Sequence, residues 1–353
     1  MENRIRKIQR ILPSDTAALC LSVPSCRYLT GFDYDDGGVL LTADKGFLLT
    51  DSRYVEAAQE AVSHLTVISC TTLMGTLGEL LEKNGIRALY VEQSLSLAAL
   101  SRLQKLPCTL VTDTTLSDAL TAARVEKDQA EIAALRKAQE ITEQGFAHIL
   151  PFLREGITER EVALELEFYM RKNGAQDVSF PSVVVSGANG SRPHGVPTDK
   201  PIRSGDFVTM DFGALYNGYH ADMTRTVAIG HVSDEQRFAY ETVLKAQQAT
   251  LGVICAGMNG KTADAAARTI IQEAGFGEYF GHGTGHGVGV EIHEAPRLSP
   301  MATDAPLPIH AVVTVEPGIY LPGKYGVRIE DMVLLTENGS ENLTHSPKEL
   351  LIL

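Results

Sequence analysis

The sequence predicts two domains, an α/β domain over residues 1–122 and an α+β domain over residues 123–353. A chain of 353 residues favours two domains over one. Short apolar runs alternate with helical patterns through roughly the first 120 residues, as they do in βαβ units. Beyond that point the pattern changes to longer amphipathic helices and to β-hairpins.

The strands of the first domain are predicted from apolar runs at 17–23, 38–43, 46–51, 65–70 and 87–92. RYVEAAQEAV and LGELLEKNG have the spacing of amphipathic helices. Gly85 marks the end of the second of these helices, because glycine readily adopts the left-handed conformation that ends many helices.

Two longer helices are predicted at the start of the second domain. Residues 122–153 form one long amphipathic pattern, in which Asp128 is a candidate N-cap. The next helix begins at Thr158, which forms a capping box with Glu161, and it ends at Gly174.

Composition narrows the class of protein. The net charge of −13 disfavours nucleic acid as a partner. No apolar stretch reaches the ~18 residues of a membrane span, and MENRIRKIQRILPSD lacks the pattern of a secretory signal. The five cysteines are widely spaced and form no CxxC. We therefore expect reduced, mostly buried thiols in a cytoplasmic protein.

A β-hairpin is predicted where FVTMDFGALYNGYHADMTRTVAI surrounds Asn217-Gly218, the preferred pair for a two-residue type I′ turn. This turn pairs Asp211 with Thr224. Because strand side chains alternate, Asp211 and Asp222 become diagonal neighbours on one face, about 7 Å apart at their β-carbons. Two carboxylates at this distance repel, and a cation between them removes the repulsion. The alternative is that both acids are solvated on an open face.

A second hairpin is predicted over residues 311–336. Glu316 lies in a strongly apolar strand, where an unpaired charge is unfavourable. Glu330 follows Arg328 by two residues, so both project from the same face, and Asp331 projects from the other. Glu316 and Glu330 are thus inward candidates on facing strands, although the longer turn LPGKYG leaves their register open.

The two acid-bearing strands, DFVTMDFG and AVVTVEPG, have a similar form. Each has an apolar strand with Val-Thr, then an acid and a turn-prone pair. An internal repeat and coincidence explain this similarity equally well.

Histidines are concentrated in GHGTGHGVGVEIHEAP, which contains His282, His286 and His293. Strand alternation predicts His282, Thr284 and His286 on one face, with glycines opposite. Four carboxylates with histidine and without cysteine favour Mn²⁺, Co²⁺ or Fe²⁺ and permit Zn²⁺. Several carboxylates sharing cations predict two metals about 3.5–4 Å apart, as in many hydrolases.

The motifs DFGALYNGYHADMTRT, GHGTGHGVGVEIHE, VTVEPGIY and GVRIED resemble those of the pita-bread metallopeptidases. This family includes prolidase, aminopeptidase P and methionine aminopeptidase, with creatinase as a non-metal relative. The resemblance covers residues 123–353, and RYLTGF with TDSRY resembles the creatinase/prolidase-type N-terminal domain. It implies a creatinase-type α/β domain followed by an α+β pita-bread domain with a pseudo-twofold repeat.

The resemblance also implies a site with two divalent metal ions, Mn²⁺ being favoured over Co²⁺ or Zn²⁺. Its five ligands would be Asp211, Asp222, His286, Glu316 and Glu330. Asp222 and Glu330 would bridge the two ions, and His286 would be the only nitrogen ligand. Glu316 would also act in catalysis as the proton shuttle beside the attacking water.

Four further residues are implied to contact the substrate. His194 would close over it, and His293 would act in catalysis by stabilising the tetrahedral intermediate. Arg328 would lie beside the site, and Arg297 would hold the free carboxylate of a dipeptide, as arginine does through its planar fork. A solvated Arg297 is a nearly equal alternative.

The function implied by these residues is hydrolysis of the bond between an N-terminal residue and proline. Arg297 favours a prolidase (Xaa-Pro dipeptidase) over an aminopeptidase P that acts on longer peptides. The separate N-terminal domain disfavours methionine aminopeptidase, and the complete ligand set disfavours creatinase and a non-catalytic binding protein. The family further implies a homodimer.

Overall fold

The computed structural model describes all 353 residues, which form two compact units, Met1–Arg124 and Val125–Leu353. None of its helices has both the length and the apolar character needed to cross a bilayer. The five cysteines form no disulfide. Cys20 and Cys26 are buried and the other three are half-buried, so the expectation of mostly buried thiols is only partly met.

The first unit is a six-stranded mixed sheet with helices in its connections. In chain order its elements are α1 Glu2–Gln9, β1 Thr16–Cys20, α2 Val23–Thr30, β2 Gly37–Thr42, β3 Gly46–Thr50, α3 Val55–Ala61, β4 Thr66–Ser69, α4 Leu73–Lys83, β5 Ala88–Val91, α5 Leu97–Leu103, β6 Thr109–Val111 and α6 Thr115–Val125. The strand order is β4-β3-β2-β1-β5-β6. All five predicted strands are present.

One predicted strand is shorter than its apolar run. The run at 17–23 gives β1 only as far as Cys20, because Ser22 begins α2 instead. Its hydroxyl accepts a hydrogen bond from the N–H of Ser25, and Pro24 follows in the first turn of the helix.

The second unit contains four helices and two main antiparallel sheets. Its elements are α7 Gln129–Ile149, α8 Glu159–Lys172, β7 Asp177–Val178, β8 Val183–Ser186, β9 Phe207–Phe212, β10 Ala214–Tyr216, β11 Tyr219–His220, β12 Met223–Ala228, α9 Asp234–Val253, α10 Gly260–Glu273, β13 Gly285–Gly287, β14 Glu294–Leu298, β15 Val312–Val315, β16 Gly318–Leu321, β17 Tyr325–Arg328, β18 Asp331–Thr336 and β19 Gly339–Asn342. The main sheets have the orders β12-β9-β8 and β14-β13-β15-β18-β19.

The long helix predicted over 122–153 is two helices. α6 ends at Val125 and α7 begins after Asp128, whose side chain accepts from the N–H of Glu131 in a full capping box. The cap starts a new helix and so interrupts the amphipathic pattern. The predicted capping box of Thr158 and Glu161 starts α8.

The first hairpin has the predicted register. Asn217 and Gly218 both have positive φ, and Asp211 lies opposite Thr224. Met210 and Phe212, the neighbours of Asp211, are fully buried in a core shared with α7 and α8. Alternation along β9 therefore directs the Asp211 side chain to the opposite face, away from this core.

The second hairpin places its two glutamates opposite each other. Val315 pairs with Asp331 and Gly318 pairs with Arg328, so Glu316 and Glu330 come into register between β15–β18 and β16–β17. The N–H of Glu330 also donates to the carbonyl of Thr224 at 3.1 Å, which joins this hairpin to the first.

Candidate metal centre

Three of the predicted ligands converge directly. Ligand atoms of Asp222, His286 and Glu330 all lie within 4.8 Å of one another, and the three residues are buried. Asp222 precedes β12, His286 is central in β13, and Glu330 precedes β18. The fold thus brings two sheets and both hairpins to one point.

The other two predicted ligands extend this cluster. Glu316 Oε1 lies 3.4 Å from His286 Nε2, close to the 3.6 Å between that nitrogen and Asp222. Asp211 is hydrogen-bonded to the guanidinium of Arg328, and both residues line the same cavity as Asp222.

The imidazole of His286 is oriented for a cation. Its Nδ1 donates to its neighbour's carbonyl, Gly287 O, at 3.0 Å. This bond requires the proton on Nδ1, so Nε2 presents a lone pair toward the carboxylates of Asp222 and Glu316. A lone pair facing two carboxylates is unfavourable unless a positive charge lies between them.

The donor set fits a metal for a second reason. Asp211 Oδ1 and Glu330 Oε1 are buried and have no hydrogen-bond partner. Buried carboxylate oxygens are normally paired, because leaving them unpaired costs about 1–3 kcal/mol or more each. A divalent cation satisfies both oxygens and relieves the repulsion among the acids.

Burial sets the pKa values in the metal-free protein. It raises the pKa of Glu316 to about 8, partly opposed by Arg328. Burial, followed by repulsion from neighbouring carboxylates, raises the pKa values of Asp222 and Glu330 well above their usual range. Burial lowers the pKa of His286 to about 3.

We therefore expect the metal-free protein to lose stability as the pH rises from 6.5 to about 8. In this window the folded protein still holds a proton on Glu316 that the unfolded chain, with its pKa near 4.5, has already released. Stability then falls by up to about 1.4 kcal/mol per pH unit for each such proton. His286 acts oppositely, but only below its unfolded value of 6.5.

Melting temperatures of chelator-treated protein between pH 6.5 and 8 measure this effect. Saturating Mn²⁺ is the control, since the metal holds the carboxylates ionised and removes the decline. Equal slopes with and without metal would contradict the expectation.

The predicted substrate residues lie around the same site. A cavity of about 550 Å³ is lined by His194, His293, Arg297 and Arg328 together with Asp211, Asp222, Glu316 and His286. His194, His293 and Arg297 are exposed, and the ring of His293 lies 4.4 Å from that of His286.

Arg328 is buried and strongly engaged with the protein. Besides Asp211, its guanidinium donates to Thr224 Oγ1 at 2.9 Å and to the hydroxyl of Tyr320 at 2.8 Å. Arg328 therefore orients Asp211 and has few donors left for a substrate.

Sequence reasoning did not identify Tyr320. Its buried hydroxyl lies between Arg328 and His282 Nε2, at 2.8 Å from each. His282 Nδ1 bonds the carbonyl of Gly283, so Nε2 accepts from Tyr320. The feature that could have identified Tyr320 is the register of its hairpin, which makes Tyr320 a diagonal neighbour of Arg328.

The histidine run differs from the predicted continuous strand. β13 covers only Gly285–Gly287 and has a register shift after His286, so regular alternation does not extend back to His282. The glycines of this run nevertheless allow the neighbouring strand to come close. A β-carbon on Gly285 would lie 2.0 Å from the carbonyl oxygen of Thr314.

A cluster of four carboxylates and one imidazole beside a cleft is typical of metal-dependent hydrolases. Residues 133–337 match the model of metallopeptidase family M24, and residues 4–125 match the creatinase/prolidase N-terminal domain. The chain belongs to metallopeptidase family M24. Membership of this family implies divalent metal ions, for which the Asp222, His286 and Glu330 cluster is present.

Relatives of known structure share the whole fold. An Xaa-Pro dipeptidase from Bacillus anthracis has a TM-score of 0.94 at 41% identity, covering 100% of this chain and 99% of its own. An X-Pro aminopeptidase from Thermotoga maritima has a TM-score of 0.90 at 36% identity, covering 98% and 100%. An Xaa-Pro dipeptidase of Pyrococcus horikoshii is 37% identical over 99% of both chains. The predicted family and two-part fold are confirmed.

Proposed function

We propose that the protein is an Xaa-Pro dipeptidase that hydrolyses the bond between an N-terminal residue and proline. The observation that carries this proposal is that Arg297 lines the same cavity as Asp222, His286 and Glu316. The acids and the imidazole supply a metal centre, and the exposed guanidinium supplies a partner for a free carboxylate.

Asp211, Asp222, His286, Glu316 and Glu330 are the proposed ligands. Bound divalent ions supply an activated water and polarise the scissile carbonyl. Glu316 takes the proton of the attacking water and passes it to the leaving nitrogen. His293, beside His286 at the cavity wall, donates to the oxyanion.

The rest of the cavity suits proline. The leaving proline nitrogen belongs to a tertiary amide without N–H, so recognition relies on the shape of the ring. Phe180, Pro193, Val196 and Ile292 provide an apolar lining. His194 lies in this wall and is the proposed residue that closes over the substrate.

Further properties are proposed from the donor set and the family. Mn²⁺ is the favoured metal, because four carboxylates and one imidazole form a hard ligand set, with Co²⁺ or Zn²⁺ as alternatives. We propose a cytoplasmic homodimer that acts on small peptides with proline at the second position, and neither nucleic acid nor membrane is a proposed partner.

Aminopeptidase action on longer peptides is the second candidate, because the Thermotoga maritima relative is an X-Pro aminopeptidase. Arg297 distinguishes the two. Arg297→Gln is expected to raise KM for Ala-Pro about tenfold or more, through loss of a charge-assisted pair. KM for Ala-Pro-amide, which lacks the carboxylate, should change little.

The assay compares Ala-Pro, Ala-Pro-amide and Ala-Pro-Ala in protein loaded with Mn²⁺, Co²⁺ or Zn²⁺. Arg237→Gln, at an exposed arginine of α9 outside the cavity, is the control for a general loss of positive charge. Faster wild-type turnover of Ala-Pro-Ala than of Ala-Pro would favour the aminopeptidase. No Xaa-Pro hydrolysis with any metal would contradict both candidates.

A further inference from the structure

A buried carboxylate outside the acidic cluster contacts the loop that carries His194. Glu159 is the first residue of α8 and its surface is fully buried. At this position the positive end of the helix dipole favours a negative charge. Burial of a carboxylate remains unfavourable unless hydrogen bonds replace its lost water.

Those hydrogen bonds come from residues at both ends of the loop. Ser186, the last residue of β8, donates through its N–H at 2.7 Å and its hydroxyl at 2.9 Å. Thr198 donates through its hydroxyl at 2.6 Å and its N–H at 3.1 Å. The side-chain amide of Asn189 donates to both oxygens of Glu159, at 3.1 and 3.2 Å.

All of these donors are neutral, so a network of hydrogen bonds holds the carboxylate. A single side chain thereby ties residue 186 to residue 198 and closes the segment between them. This arrangement specifies one loop conformation, because every donor must point at the same two oxygens.

The middle of this segment lies against the site. Pro193, His194 and Val196 line the cavity, and Arg328 Nη1 donates to the carbonyl of Pro193 at 3.3 Å. Gly190 packs on β17, where a β-carbon on Gly326 would lie 1.9 Å from the Gly190 carbonyl oxygen.

We propose that Glu159 is a positioning residue for the peptidase reaction: it fixes loop 187–197 so that His194 meets the substrate. The inference rests on the proposed function, since it concerns how the same cavity holds its substrate. Glu159 acts through the loop and has no contact with the reacting atoms.

Hydrogen exchange of metal-free protein tests the loop directly, without any activity. Glu159→Gln keeps the size of the side chain but replaces one acceptor oxygen with an NH₂ donor. This NH₂ group faces the donors of the network, so some of those buried donors lose their acceptor. Exchange of amides in 187–198 is expected to rise about tenfold, while α7 is unchanged. Glu161→Gln is the matched control, because glutamine preserves a capping box at the same helix end.

A double-mutant cycle tests the effect on substrate. In metal-loaded protein, Glu159→Gln should raise KM for Ala-Pro about tenfold with a smaller change in kcat and unchanged metal content. In a His194→Ala background the same change should have less than a twofold effect, because the group that it positions is gone.

Two results would overturn the proposal. One is unchanged exchange in the loop of Glu159→Gln, and the other is an equal KM effect with and without His194. Thr198→Val removes a donor from the exposed side of the network and provides the same tests if Glu159→Gln does not fold. Absence of Xaa-Pro hydrolysis in the wild type would instead contradict the proposed function, and the exchange result would stand independently.

Discussion

Asp222→Asn is expected to abolish Xaa-Pro hydrolysis, with turnover roughly 1,000-fold or more below wild type, because metals supply several kcal/mol of transition-state stabilisation. Asp222 is a buried member of the convergent cluster, with its carboxylate 3.6 Å from His286 Nε2. An amide keeps the shape of the side chain and loses the charge and one ligand oxygen. The metal content of the variant should fall below the about two ions per chain that we expect for the wild type.

Without metal, we expect Asp222→Asn to leave the stability of the protein unchanged or to increase it. Burial and the charges of Glu330, Asp211 and Glu316 disfavour an ionised Asp222. Asparagine imitates the protonated form, so the chelator-treated variant should melt at or above the temperature of chelator-treated wild type at pH 8. Elemental analysis, turnover and melting curves measure these effects, with Asp234→Asn at an exposed helix start as control. Near-wild-type turnover in Asp222→Asn would refute the metal assignment.

Lys127→Met is expected to destabilise the second unit by about 3–5 kcal/mol, the usual effect of removing one partner of a buried ion pair. Lys127 Nζ lies 3.1 Å from Glu294 Oε2, and the two side chains are 1% and 3% exposed. Glu294 also accepts the N–H of Glu291 and directly follows His293, so its displacement disturbs the cavity wall as well.

Adding Glu294→Gln should restore most of the lost stability. The neutral amide oxygen still accepts from Glu291, and no buried carboxylate has lost its ammonium partner. Urea unfolding, monitored through hydrogen exchange of the α7 amides, measures the free energy of unfolding of this unit. The matched control is Lys137→Met at the exposed Lys137–Glu140 pair, with an expected effect below about 0.5 kcal/mol. A Lys127→Met effect as small as that of the control would show that the buried pair adds nothing.

The parts of the fold with local signals could be predicted from the sequence. Asn217-Gly218 determined the register of the first hairpin, and that register brought Asp211 and Asp222 to one face. Capping residues located the starts of α7 and α8. Each signal lies within a few residues of the feature that it specifies, so a single sequence suffices.

Features that depend on distant residues could not be predicted in this way. Lys127 and Glu294 are 167 positions apart, and neither is unusual in its own segment. Tyr320 required the register of a hairpin whose turn did not define it. Alternation from His282 to His286 failed because the strand begins only at Gly285, where close backbone packing and a bulge replace regular pairing.

The distribution of the acidic residues along the chain also determines when the site can form during synthesis. Asp211 and Asp222 leave the ribosome first, and Glu330 follows more than a hundred residues later. The N–H of Glu330 reaches the carbonyl of Thr224 only once the second hairpin has joined the first. A nascent chain that ends before residue 330 carries the mutually repelling aspartates without their full complement of partners. Stable uptake of metal is therefore a late event that reports a completed catalytic unit.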